Sequence, residues 1–140
     1  MCTFERRAHF TSDGRVEIVR EALLRTTKSC DVEIIAYCFM PDHLHMLLEG
    51  RTETSDLKQC VTRFRQSAGY EFKRSQNERL WQDGYFDRTL RDCDATFDVV
   101  AYVLANPVRA RLCQTPTEYP FLGSSQFPVD ELVLSVQWRP

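Results

Sequence analysis

The chain has 140 residues, 43% hydrophobic and 27% charged, the balance of one folded domain that buries a core without disulfide or metal staples. Eighteen Lys and Arg against 20 Asp and Glu give a net charge of −2, which excludes a uniformly basic nucleic-acid coat but not a local basic face. No apolar run approaches the ~20 residues of a membrane span, and the opening MCTFERRAHF lacks a signal-peptide segment. The six cysteines stand singly, without a CxxC pair, and read as reduced thiols of a cytoplasmic protein.

In chain order, residues 1–8 fit a short first strand, and Asp13-Gly14 is a turn signal. Val16 to about Lys28 then places Ile18, Val19, Ala22 and Leu23 at helical spacing. Val32 to Phe39 is apolar and rich in β-branched and aromatic residues, which predicts a buried strand. Met40-Pro41-Asp42 supplies turn chemistry, and His43 to Leu48 returns as the second strand of a hairpin. Thr54 to about Gln76 reads as a long helix capped by Thr54 or Ser55, with Leu57, Val61, Phe64, Ala68 and Phe72 in one stripe.

Leu80 to Leu90 suggests a strand bent at Asp83-Gly84. Asp94 to Asn106 is a helix with Phe97, Val100, Ala101 and Leu104 inward, which Pro107 is expected to end. The order predicts an α+β fold: a ferredoxin-like βαββαβ antiparallel sheet with helices on one face and an added C-terminal helix. No repeat or linker divides the chain, and an irregular tail follows the domain.

The most informative stretch is YCFMPDHLHMLLEG, residues 37–50. Side chains alternate along a strand, so His43 and His45 share one face while Leu44, Met46 and Leu48 take the other. Two imidazoles so placed lie close enough to chelate one metal ion, and they equally suit a solvated sheet face. A zinc site adding Cys38 is a further option, although no fourth ligand stands at a familiar spacing. In the second stretch, YVLANPVRARL, Tyr102 and Asn106 are helical neighbours at i, i+4, away from the apolar stripe. Asn106 offers an amide oxygen that can ligate a cation, and it also suits a helix terminus before proline.

The runs YCFMPDHLHMLLEG, LWQDGYFDRTLR and YVLANPVRARL together resemble the single-tyrosine transposases of the His-hydrophobic-His class, in particular the branch associated with repetitive extragenic palindromes. The resemblance covers about Cys2 to Ser125, which makes 1–125 the transposase-like domain and 126–140 a C-terminal tail. It implies a metal-dependent endonuclease and strand transferase acting on single-stranded or hairpin DNA through a 5′-phosphotyrosine intermediate. Tyr102 is then the nucleophile on the added helix, and His43, His45 and Asn106 are ligands of Mg²⁺ or Mn²⁺, with two imidazoles suiting Mn²⁺ at least as well. A homodimer is compatible with the resemblance, and a membrane partner is not implied.

A catalytically silent hairpin-binding module is the alternative. Residues 57–91 carry eight basic against four acidic residues, a local +4 within an acidic chain. Arg6, Arg7, Lys58, Arg65 and Arg88 are the candidate DNA contacts, with Trp81, Tyr85 and Phe86 able to stack on unpaired bases. The chain departs from the family pattern twice: Met1 leaves the first strand short, and Arg111 stands where Gly is usual. Glycine there would permit a left-handed helix end, so Arg111 is expected to alter the path of the chain that follows.

Overall fold

In the computed structural model, which describes residues 1–140, the first helix, α1, spans Asp13–Ser29 and opens at the Asp13-Gly14 turn. Two long strands follow, β1 (Val32–Met40) and β2 (His43–Gly50), joined by the Pro41-Asp42 turn. The second helix, α2, spans Leu57–Gln76. Its cap is Asp56, whose carboxylate accepts from Gln59 N at 3.0 Å. The expected cap, Ser55, is occupied elsewhere, donating its hydroxyl to the Asp31 carbonyl at 2.8 Å. The third helix, α3, spans Cys93–Arg109 and is capped by Asp92; a short strand β3 (Leu122–Gly123) and a last helix α4 (Val129–Ser135) complete the chain.

The sheet is antiparallel in the order β2-β1-β3. Met40 pairs with His43 and Cys38 with His45, and the register shifts between Ile34 and Ala36. That irregularity leaves Ile35 as an extra residue, so Ile34 and Ala36 point to opposite faces. On one face Ile34, Tyr37, Phe39 and Leu44 form a core with Val19 and Leu23 of α1 and Phe64 and Phe72 of α2. On the other, Ala36, Cys38 and Met40 pack against Val100, Val103 and Leu104 of α3 and Leu132 of α4. This is the α+β architecture expected, with α1 and α2 on one face and the added helix α3 on the other.

The first and last strands of the expected ferredoxin-like order shrink to single bridges. Cys2 pairs with His43, and Thr3 pairs with Trp81, so the lateral order survives without ladders. Residues 1–8 do not form a strand because Glu5 and Arg6 adopt left-handed conformations, with φ of 53° and 54°. Leu80 to Leu90 does not either: only Leu80 and Trp81 are buried, and Phe86 is 90% exposed, so no apolar face remains to hold the rest against the sheet. Instead Arg65 ties down the turn that follows, donating to the carbonyls of Gln82 (2.7 Å) and Gly84 (2.8 Å) beneath the Tyr85 ring.

Helix α3 runs one turn past the expected stop at Asn106, with Pro107 inside it. Proline in a last turn removes only one ladder bond, and bonds from Ala110 N to Asn106 O and Leu112 N to Pro107 O carry the chain across. Phe97, expected inward, is 52% exposed, and Val103 takes its place in the buried stripe. The tail is not irregular throughout, because Leu132 anchors α4 on the α3 core. Arg111 adopts φ 59°, so the chain keeps the left-handed helix end without glycine.

Holding an arginine in that conformation costs about 1 kcal/mol. Arg111→Gly is therefore expected to raise the melting temperature by roughly 2–4 °C in a thermal scan; a lowered melting temperature would show that the Arg111 side chain contributes more than its backbone costs. Arg65→Ala is expected to lose about 1–2 kcal/mol in urea denaturation through the two released carbonyl bonds. An unchanged midpoint would mean that the 82–84 turn holds without it.

Candidate functional site

Burial of Leu44 in the α1/α2 core fixes which way β2 faces. Met46 and Leu48 pack on the same core, so His43 and His45 project from the opposite surface, toward α3. Their rings meet edge to face at 4.7 Å between centroids. His43 Nδ1 lies 2.7 Å from Asp42 Oδ1, so Nδ1 carries the proton that the carboxylate accepts and Nε2 is the ring nitrogen left outside that bond. The other Asp42 oxygen accepts from Arg6 Nε at 2.9 Å. Burial alone would raise the Asp42 carboxyl, but the His43 hydrogen bond and the Arg6 charge outweigh it and hold the group below the usual carboxylate range. His45 is pushed down to about 4, first by burial and then by the neighbouring His43, so its ring is neutral at neutral pH.

Helix α3 supplies the other half of the site. With Val100, Val103 and Leu104 buried on the sheet, Tyr102 falls on the side facing β2, half exposed, with its ring centroid 5.7 Å from that of His45. One turn on, Asn106 is buried at the helix edge. Its amide orientation is set from both ends: Nδ2 donates to the Tyr102 carbonyl at 3.1 Å, and Oδ1 accepts from Arg109 Nη2 at 3.2 Å. The Arg109 guanidinium also stacks over the Tyr102 ring, with Cζ 4.3 Å from its centroid. Tyr102, Asn106 and Arg109 thus form one linked group beside the two imidazoles.

The structure brings His43, His45 and Tyr102 together, with Asn106 tied to the Tyr102 carbonyl one turn further along α3. Two clefts lie away from this group, one lined by Leu24, Lys28 and Arg51, the other by Phe97, Phe127 and Leu132. No three His, Cys, Asp or Glu side chains are grouped so as to hold a metal ion by themselves. Cys38 does not extend the site: it is fully buried, its thiol is pushed up to about 12 by burial, and it points to Met40 Sδ at 3.7 Å.

The candidate DNA contacts divide. Lys58 and Arg88 are exposed. Arg7 is exposed but lies near Glu5 and Glu78 (3.3 and 3.7 Å), Arg6 is engaged by Asp42, and Arg65 is spent on the 82–84 turn. Sequence reasoning missed Arg109 and Asp42, although both stand inside the two motifs it singled out. The signal that finds them is spacing: Arg109 is i+3 to Asn106 on a helix, and Asp42 directly precedes His43. His9, the remaining histidine, is buried far from this group, its Nε2 donating to the Arg79 carbonyl at 3.1 Å and its Nδ1 facing Arg15 at 3.3 Å.

Comparison with known proteins identifies the family and the fold. No curated protein matches the chain. Among solved structures, that of a REP-associated tyrosine transposase bound to a REP hairpin is similar with a TM-score of 0.73 at 18% identity, over 86% of this chain and 71% of that one. At that identity the likeness speaks for the fold. The family model for IS200-like transposases matches residues 1–106, a span that holds the β1–β2 hairpin, α2 and α3 as far as Asn106. The chain belongs to the IS200-like transposase family.

Proposed function

We propose that the protein cuts and rejoins single-stranded DNA at a hairpin, with Tyr102 as the nucleophile and His43, His45 and Asn106 as the holders of a divalent cation. The observation that carries the reading is the convergence of two imidazoles on β2 with a half-exposed tyrosine on α3, 5.7 Å between the His45 and Tyr102 rings. The donor set fits a cation. His43 keeps a free Nε2 because Asp42 holds Nδ1, His45 is neutral, and Asn106 Oδ1 retains a second lone pair beyond the bond from Arg109. Two nitrogens and an amide oxygen suit Mn²⁺ better than Mg²⁺, which prefers an all-oxygen shell. When bound, such an ion supplies charge neutralisation at the non-bridging phosphate oxygens.

The chain's own groups do the rest. A free phenol, with a pKa near ~10, is a weak nucleophile at neutral pH, so its oxygen must be held in line with the phosphorus and its developing negative charge offset. Arg109, stacked on the Tyr102 ring, brings a fixed cation to that place and has donors left for a phosphate oxygen. Attack by Tyr102 Oη forms the tyrosine–phosphorus bond and breaks the bond to the 3′ oxygen. The phenolic proton passes to solvent, and the leaving 3′ oxygen takes one up. Because the phosphodiester is conserved in the tyrosine link, a 3′-hydroxyl can reverse the step and join strands without a nucleotide cofactor. Lys58 and Arg88 are free to contact phosphates along the strand. The hairpin ligand of the similar structure supports hairpin DNA as the substrate class.

A hairpin oligonucleotide with a single-stranded 5′ extension, incubated with the protein and Mn²⁺, is expected to give a covalent adduct on a denaturing gel. Tyr102→Phe is expected to abolish the adduct and to leave hairpin affinity within about twofold, since the variant removes only one hydroxyl. An adduct that persists in Tyr102→Phe removes Tyr102 as the nucleophile. Salt-sensitive binding with no adduct under Mn²⁺ or Mg²⁺ makes the protein a silent binding module instead.

A further inference from the structure

The segment from Thr3 to Phe10 is pinned at both ends to the tip of the β1–β2 hairpin. Thr3 N donates to the Asp42 carbonyl and Phe10 N to the Pro41 carbonyl, each at 3.0 Å. The chain between them must leave the hairpin and return within six residues. Thr3 Oγ1 closes the excursion, with the Arg7 carbonyl at 2.7 Å and the Asp42 carbonyl at 3.0 Å. The reversal is made by Glu5 (φ 53°, ψ 25°) and Arg6 (φ 54°), two consecutive left-handed residues, neither of them glycine. Such a conformation persists only where the surrounding contacts over-determine it, and it concentrates where function needs a side chain aimed.

The side chain aimed here is Arg6. Its Nε donates to Asp42 Oδ2 at 2.9 Å, and its Nη1 meets Cys2 Sγ at 2.8 Å. The same carboxylate reaches His43 Nδ1 through its other oxygen at 2.7 Å. We infer that Arg6 is a positioning residue that acts on His43 through Asp42. The strained turn holds the guanidinium against the carboxylate, and the bridged carboxylate fixes the ring orientation and tautomer of His43, Nδ1 protonated and Nε2 open. Without Arg6, the Asp42 side chain has His43 as its one remaining partner and is free to rotate. A phosphate-binding role, the natural reading of an exposed arginine, fits less well, because two of the three guanidinium nitrogens are already committed inside the protein. The inference rests on His43 belonging to the proposed site, but its first readout needs neither DNA nor metal.

The test uses the full chain, its R6A and R6K variants, and nitrogen-15 NMR of the histidine rings in metal-free protein. In the parent chain the two His43 nitrogens are expected to show a single tautomer protonated at Nδ1. In R6A they move toward the average of a mixed population, with other amide signals unchanged beyond the 1–10 segment and the hairpin tip around residues 41–45, and R6K restores part of the difference. Mn²⁺ affinity, measured by calorimetry, is expected to fall roughly three- to tenfold in R6A while metal-free hairpin binding stays level. His43 nitrogen shifts that do not change in R6A overturn the inference. If hairpin affinity then falls and its salt slope drops by about one, Arg6 is a phosphate contact. A chain whose His43 tautomer responds to R6A but which forms no adduct with hairpin DNA keeps the positioning role and loses the proposed reaction.

Discussion

The alternation of side chains along β2 is the constraint from which the site follows. Leu44 must enter the core made by α1 and α2, and a shift of one residue would exchange the two faces of the strand. The histidines on either side of Leu44 are thereby committed to the α3 surface. The bulge at Ile35 resets the alternation of β1 once, after which Phe39 goes to one core and Ala36, Cys38 and Met40 to the other. Helix α3 then packs on the second face through Val100, Val103 and Leu104, and helical geometry leaves Tyr102 and Asn106 at the border with β2. The two halves of the site meet because two separate cores each fix one of them.

Electrostatics at this border run opposite to the charge of the chain as a whole. The net charge is −2, yet the groups beside Tyr102 are two imidazoles, one of them held neutral by burial, and the cation of Arg109. The one carboxylate bonded to the group, Asp42, is tied by Arg6 on its far oxygen and by His43 on its near one. The face beside Tyr102 is therefore neutral or positive, with the acidic surplus carried elsewhere. A local arrangement of this kind is invisible to a sum over all residues.

The parts of this arrangement that were legible in sequence are those set by local spacing. The HxH alternation and the i, i+4 relation of Tyr102 and Asn106 depend only on strand and helix periods, and both hold. What was not legible depends on contacts between distant segments. Arg6 reads as a free basic residue until the Thr3–Phe10 excursion is seen to end on Asp42, 36 residues away. Arg65 reads as a surface cation until the 82–84 turn uses it. The two missing strands fail for the same reason: propensity favoured them, but the left-handed pair Glu5-Arg6 and the exposed run after Trp81 overrode it. Arg111 shows the converse, a residue whose propensity opposes its conformation and which the surrounding helix end holds there regardless.

The proposed function requires strand alternation and helix packing to deliver His43, His45, Tyr102 and Asn106 to one cation-binding face. Paramagnetic broadening of NMR signals by Mn²⁺ tests it most directly, since the effect falls steeply with distance from the bound ion. The account predicts that signals of those four residues are lost first as Mn²⁺ is added, while Leu44 and Met46, on the opposite face of the same strand, persist longer. Broadening centred instead on acidic positions such as Glu33 and Glu49, with the histidine rings untouched, would contradict it.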